Sequence, residues 1–178
     1  MIDRAQAELL IAGRLSEKRR EHSRRVAAEA AELARRFGAA PEAAAIAGLL
    51  HDYCRDLTDA ETLAAAARYG LEVGLVEARR PKNILHGPVA AAELAAAGLD
   101  TDIAGAIARH TTGGPGMTVL EKCLYLADFC EPGREFPGLV EVRALAAAAR
   151  ISLLDLIGRG RGVVPDALAL YNETHAGD

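Results

Sequence analysis

Six side chains in this chain have the types and spacing to do chemistry together: His22, the adjacent pair His51 and Asp52, His86, His110 and Asp128. Imidazole nitrogens and carboxylate oxygens suit Fe, Mn, Co, Zn or Mg rather than a thiolate-seeking ion. The stretch before Asp52, AAAIAGLLH, is almost wholly apolar. A carboxylate placed there is expected to be buried, and to need a charge partner, a hydrogen-bond network or a metal. Asp128 follows KCLYLA and raises the same question. Two buried carboxylates near one another repel unless a cation lies between them. His51 and Asp52 stand about 100° apart on a helix, so both reach one ion that sits near the helix end. The competing reading is an Asp–Arg pair inside a bundle, with Arg55, Arg134 or Arg143 as partner. Periodicity alone leaves the two readings open. The His-Asp dipeptide is not specific by itself, and a single helical His is more often a packed core or boundary residue than a ligand. His175 lies in the tail and is left out of the site.

These residues must be positioned by helices. From Glu17 to Phe37, the residues His22, Val26, Ala30, Leu33 and Phe37 recur at three- and four-residue steps, the pattern of one amphipathic face. Gly38 is the expected stop. Pro41 opens the next helix, where its missing N–H costs nothing. That helix runs through AAAIAGLLHDYC, is apolar nearly all round, and is expected to be central and to end near Cys54. Thr58 and Glu61 form a capping box for a helix ending around Tyr69 and Gly70. Over 71–85 a short helix and a loop are expected, with Pro81 breaking any helix. His86 to Ala97 is helical, with Gly98 as its stop, and Asp100 caps Thr101 to about His110. TTGGPG (111–116) is the strongest loop signal. Helices follow over Met117 to Cys130, over Leu139 to Leu156 after the EPGREFPG loop (131–138), and from Val164 or Pro165 toward Asn172. No segment alternates as a strand, no repeat stands out, and no linker divides the chain. The reading is all-α, a single domain over residues 1–178.

Composition agrees. Of 178 residues, 51% are hydrophobic and only 4% aromatic, and 38 are Ala. Ala loses no side-chain entropy in a helix and allows close helix contacts. A sandwich or barrel would instead want Val, Ile, Thr and aromatics. The net charge of −4 argues against a nucleic-acid polymer as partner. The basic residues are 18 Arg and three Lys. Arg suits bidentate phosphate contacts, although compositional bias accounts for most of the excess. Cys54, Cys123 and Cys130 are odd in number and form no CxxC, so no disulfide framework is expected and a reducing cytoplasm is the expected compartment. Cys123 and Cys130 lie two turns apart on one helix face and are expected to pack in the core. The N-terminus does not read as a secretory signal, and no apolar run is long enough for a transmembrane helix.

The order His22, His51-Asp52, Asp128 resembles the metal-site signature of the HD-domain phosphohydrolase superfamily. Further motifs narrow the likeness: Arg19-x-x-His22, GLLHDYCRD at 48–56, ILHG at 84–87, AIARHTTGGPGM at 106–117, LEKCLYLADFCEPGREFPG at 120–138, and Tyr171-Asn172. Together they resemble the YqeK family, bacterial symmetrical diadenosine tetraphosphate (Ap4A) hydrolases, over nearly the whole chain. HTTG-x-x-x-M and YLAD-x-x-EP-x-R are the specific elements.

The resemblance implies an HD-domain helical bundle with its metal-site core at about 18–130 and a divalent metal, iron by family likeness with Mn, Co, Mg or Zn as alternatives, in one or two ions. It implies His22, His51, Asp52 and Asp128 as ligands, and His86 and His110 as holders of a second metal or of phosphates. The implied reaction is Ap4A plus water to two ADP, with Asp52, His86, His110 and Arg55 in catalytic roles. Arg55 stands where the superfamily often has Lys, which suits an electrostatic role rather than proton transfer. The implied substrate contacts are Arg19, Arg55, His86, His110, Thr111, Arg134, Tyr171 and Asn172, with TTGGPG amides as further donors. A homodimer is also implied. The rivals are another HD-type nucleotide or alarmone phosphohydrolase and a non-enzymatic nucleotide-binding module. For base recognition only Tyr53, Tyr125, Phe129, Phe136 and Tyr171 offer rings, and most are expected in the core.

Overall fold

A capping box opens the chain. Asp3 accepts from the Gln6 amide at 2.8 Å while the Gln6 side chain accepts from the Asp3 amide at 3.1 Å, and helix α1 (Arg4–Arg14) follows. Sequence reading passed over α1, although Asp3-x-x-Gln6 was its signal. The structure, a computed structural model, describes residues 2–135 with Leu139, Val140 and Arg143. The three isolated residues are helical, and the rest of the helices expected over 139–156 and 164–172 lies outside the described residues.

Helix α2 (Glu17–Phe37) ends at Gly38, whose φ of 80° is the left-handed conformation that Gly adopts without a Cβ clash. Helix α3 (Pro41–Leu50) is buried from residue 44 to residue 50. It packs against α1 and α2 and against two later helices, α8 (Thr101–Arg109) and α9 (Val119–Cys130). The α2–α3 seam is built from small residues. An ideal Cβ on Gly48 would stand 2.5 Å from the Ala27 Cα, so the two backbones touch directly.

The expected run of α3 to Cys54 does not occur. Helical bonding stops at Leu50, and the amides of Tyr53, Arg55 and Leu57 bond three residues back, to the carbonyls of Leu50, Asp52 and Cys54. The His51 side chain fills one of the carbonyls left at the helix end, that of Gly48. This chain of tight turns points both His51 and Asp52 into the interior.

Thr58 and Glu61 form the expected capping box for α4 (Asp59–Arg68). Two short helices follow, α5 (Leu75–Arg79) and α6 (Pro81–Ile84). The helix is broken before Pro81 as expected, and Pro81 also begins the second short helix where a loop was expected, at the first position, where it has no amide to lose. Helix α7 (His86–Ala96) then runs to Gly98 at φ 94°. Asp100 caps α8 as expected, accepting from the amides of Asp102 and Ile103. Helix α9 starts two residues later than expected, because Thr118 and Glu121 form its capping box. All nine elements are helices, with no strand among the described residues. Cys54, Cys123 and Cys130 are free and buried, as are Tyr53 and Tyr125. Among the described residues no helix is long and apolar enough to cross a membrane.

Candidate metal centre

The six residues singled out by type and spacing come from five places and meet in one cluster. His22 stands in the second turn of α2, His51 and Asp52 in the turns after α3, and His86 at the first position of α7. His110 caps α8, and Asp128 lies in the last turn of α9. Adjacent ring centroids are 5.2 Å apart for His22 and His51, and 4.9 Å apart for both His51–His110 and His86–His110. Asp52 Oδ1 is 3.2 Å from His86 Nε2 and its Oδ2 is 3.7 Å from His51 Nε2. Asp128 Oδ1 is 3.1 Å from His22 Nε2 and 3.7 Å from His51 Nε2.

The backbone sets the tautomers. Nδ1 of His51 faces the Gly48 carbonyl at 2.8 Å, Nδ1 of His86 faces Lys82 at 2.9 Å, and Nδ1 of His110 faces Ile107 at 2.8 Å. A carbonyl oxygen only accepts, so each Nδ1 carries the proton and donates it. The neutral ring then has its lone pair on Nε2, and all three Nε2 atoms point inward. His51 Nε2 is buried and has no hydrogen-bond partner. The Nε2 atoms of His86 and His110 stand 3.0 Å apart, two acceptors face to face. The Thr111 hydroxyl, 3.1 Å from His110 Nε2 and 3.4 Å from His86 Nε2, is the donor beside them.

Charge states follow from burial and neighbours. Burial pushes His86 and His110 down to about 4 and also lowers His51, so these rings are neutral at neutral pH. Burial acts to raise both carboxyls. In the acid range where a carboxyl would titrate, the His51, His86 and His110 rings around Asp52 take up protons and outweigh it, and beside Asp128 the Arg134 guanidinium and protonated His22 do so. Both stay well below the ordinary carboxylate range. Inward lone pairs and two ionised carboxylates are the donor set of a divalent cation. Two groups of donor atoms each lie within 4.8 Å of one another: His22, His51 and Asp128, and His51, Asp52 and His110.

The Asp–Arg alternative is present alongside this cluster rather than in place of it. Arg134 donates to Asp128 Oδ1 at 2.6 Å and to the Asp128 carbonyl at 3.0 Å. Arg143 instead bonds the carbonyls of Cys130, Glu131 and Arg134. Arg19 pairs with Asp52 at 3.3 Å and with Asp56 at 2.5 Å. Arg55 lies at the rim, donating to the Lys82 carbonyl at 2.9 Å and Asn83 Oδ1 at 3.2 Å, with His86 Nδ1 3.4 Å away. Tyr171, Asn172 and Phe136 lie outside the described residues.

Sequence reasoning missed Glu131 and Arg25. Glu131 is only 2% exposed, and its Oε1 lies 3.3 Å from His22 Nδ1. Its sequence signal was its place in the YLAD-x-x-EP-x-R element, to which no role for the Glu was attached. The carbonyls that set the His tautomers had no signal at all, since every residue carries one.

An HD-domain family model matches residues 19–133, the span that holds all six donors. The chain belongs to the HD-domain family. Within the family it is similar to the symmetrical bis(5'-nucleosyl)-tetraphosphatase of Bacillus subtilis, 36% identical over 96% of this chain and 97% of that protein. The protein of the same name from Halalkalibacterium halodurans is 34% identical over 97% of each chain. The one from Staphylococcus aureus is 37% identical over 79% of this chain and 72% of its own. A crystal structure of a predicted HD superfamily hydrolase involved in NAD metabolism, from Clostridium acetobutylicum, superposes with a TM-score of 0.76. It is 31% identical and covers 98% of this chain and 97% of that one. This HD-domain chain therefore stands with the bacterial symmetrical tetraphosphatases in sequence, and with a solved HD-domain structure in fold.

Proposed function

We propose that this chain is a metal-dependent hydrolase that cleaves Ap4A symmetrically, giving two ADP. The observation that carries the reading is the convergence of three buried, inward-facing Nε2 lone pairs with two ionised carboxylates, the donor set that suits a divalent cation. The substrate comes from the likeness to the symmetrical tetraphosphatases.

His22, His51, Asp52 and Asp128 are the proposed ligands of one divalent ion, and His86 and His110 extend the donor set toward a second. Bound there, the ion supplies a water of lowered pKa and a positive charge to offset that on phosphoryl oxygens. In this reading, water attacks a phosphorus beside the central bridging oxygen. The bond from that phosphorus to the bridging oxygen breaks, and ADP leaves with the oxygen while the other ADP keeps the water's oxygen. Asp52 orients that water and accepts its proton at Oδ1, where the carboxylate is ionised. Neutral Nε2 atoms of His86 and His110 cannot donate to phosphate, which favours cation binding over phosphate contact for both. Arg55 and the Thr111 hydroxyl are the proposed phosphate donors on that side, and Arg134 on the Asp128 side, with Arg19 holding Asp52 in place. Tyr171 and Asn172 keep their proposed substrate contacts by family likeness.

Iron(II) is the proposed native ion, with Mn, Co, Mg or Zn as the alternatives to be resolved by metal analysis of the purified protein. Cytoplasmic residence is proposed from the three free cysteines, and a homodimer from the family resemblance. The test is product analysis. Metal-stripped protein is supplied with each ion in turn and given Ap4A, and the nucleotides are resolved by chromatography. ADP alone is the expected product. AMP with ATP would refute symmetrical cleavage, and no product with any ion would refute the substrate.

A further inference from the structure

Among the described residues Glu131 is one of the most deeply buried acidic side chains, yet it belongs to neither donor group around the proposed cation. Its two oxygens have different tasks. Oε2 is pinned by two donors, the Arg25 Nε at 2.7 Å and the Gly133 amide at 2.6 Å. Oε1 is turned to the His22 ring, 3.3 Å from Nδ1. The opposite ring nitrogen, Nε2, faces Asp128 Oδ1 at 3.1 Å and the proposed cation position. The loop is shaped for this carboxylate. An ideal Cβ at Gly133 would fall 2.7 Å from the Arg25 Nε, so Gly at 133 gives the guanidinium room to reach Glu131.

We infer that Glu131 is a positioning residue, which through its contact with Nδ1 keeps the His22 proton there and the Nε2 lone pair available to the cation. His51, His86 and His110 obtain the same orientation from backbone carbonyls. His22 sits in the second turn of a long helix, where the nearby carbonyls are taken by helical bonds, and Glu131 supplies the acceptor instead. The inference rests on the proposed cation site and deepens it.

Glu131→Gln tests it with little change of shape. Arg25 Nε and the Gly133 amide both need an acceptor, so they fix the carboxamide oxygen at the Oε2 position. The carboxamide NH2 then faces His22 Nδ1 and requires a lone pair there. The proton moves to Nε2, where it blocks the ligand. Manganese(II) affinity, measured by chelator competition, is expected to fall 10–100-fold. In the zinc-loaded wild type, imidazole 15N NMR is expected to show His22 protonated at Nδ1. Unchanged manganese affinity in Glu131→Gln would overturn the inference, as would an unprotonated Nδ1 in the wild type. The wild-type spectrum decides even if the variant fails to fold. A wild type that binds no cation overturns this inference and the proposed centre together. One that binds manganese but leaves Ap4A intact refutes only the substrate.

Discussion

Gly48→Ala is the most informative single substitution, because two opposing effects of known size meet at one atom. In an exposed helix the change would stabilise by about 1 kcal/mol through propensity alone. Here the new Cβ would lie 2.5 Å from the Ala27 Cα, 2.7 Å from its amide nitrogen and 3.0 Å from the Val26 carbonyl carbon. These are backbone atoms in the middle of α2 and cannot swing aside. Relief to ordinary carbon contact requires α3 to move about 1 Å off α2, and a gap of that size forfeits a quarter to a half of the dispersion well across the seam. Overpacking of this kind costs about 1–3 kcal/mol, so the net effect is a loss of up to about 2 kcal/mol. The same motion carries His51 away from His22, whose ring centroids are now 5.2 Å apart. A misplacement of about 1 Å can cost a site roughly 100-fold in rate. Urea unfolding and manganese titration on one preparation check both halves. A variant about 1 kcal/mol more stable than wild type, with unchanged metal affinity, would refute the claim that the α2–α3 contact sets the geometry of the centre.

Asp52→Ala is expected to reduce bound metal to trace levels and abolish turnover, because it deletes a carboxylate set among four imidazoles; normal metal content by elemental analysis would sink the site assignment. Thr58→Ala removes the capping box of α4 and should cost about 1 kcal/mol in urea unfolding while leaving manganese affinity alone; a matching loss of affinity would mean that α4 contributes to the centre. Burial pushes Cys54 up to about 12 and Cys123 and Cys130 up to about 11, so native protein at pH 8 should resist iodoacetamide and urea-unfolded protein should take up three equivalents. Rapid labelling of the native state would contradict the buried assignment. Cys130→Ser should keep activity near wild type, and a large loss would reveal a role for the thiol.

Much of the scaffold was legible because helix punctuation is local. Gly38 at the end of α2, Pro41 at the start of α3, the Thr58–Glu61 box and the Asp100 cap act through atoms within a few residues of themselves. Where local signals competed, the reading slipped. Apolar character ran on past Leu50, which suggested helix as far as Cys54, whereas the His51 side chain bonds the Gly48 carbonyl and the backbone tightens into turns. Pro81 was read as a breaker alone, whereas it both follows the end of α5 and opens α6.

For the site, the amino-acid sequence by itself determined the donor types, their order along the chain and the family they resemble. It also made burial of Asp52 an expectation, because the run AAAIAGLL stands just ahead of His51 and Asp52. It could not determine which ring nitrogen of each His carries the proton, since that depends on carbonyls at Gly48, Lys82 and Ile107 that look like every other carbonyl until the fold aims them. Nor could it reveal the link from Glu131 to His22 across 109 positions. Arg134 was legible as one of three candidate partners for a buried carboxylate and Arg19 only as a cation, and the fold paired the first with Asp128 and the second with Asp52. Tertiary structure decided these points because a ligand's usefulness depends on direction. Residue type supplies a lone pair, and only packing sets where it points.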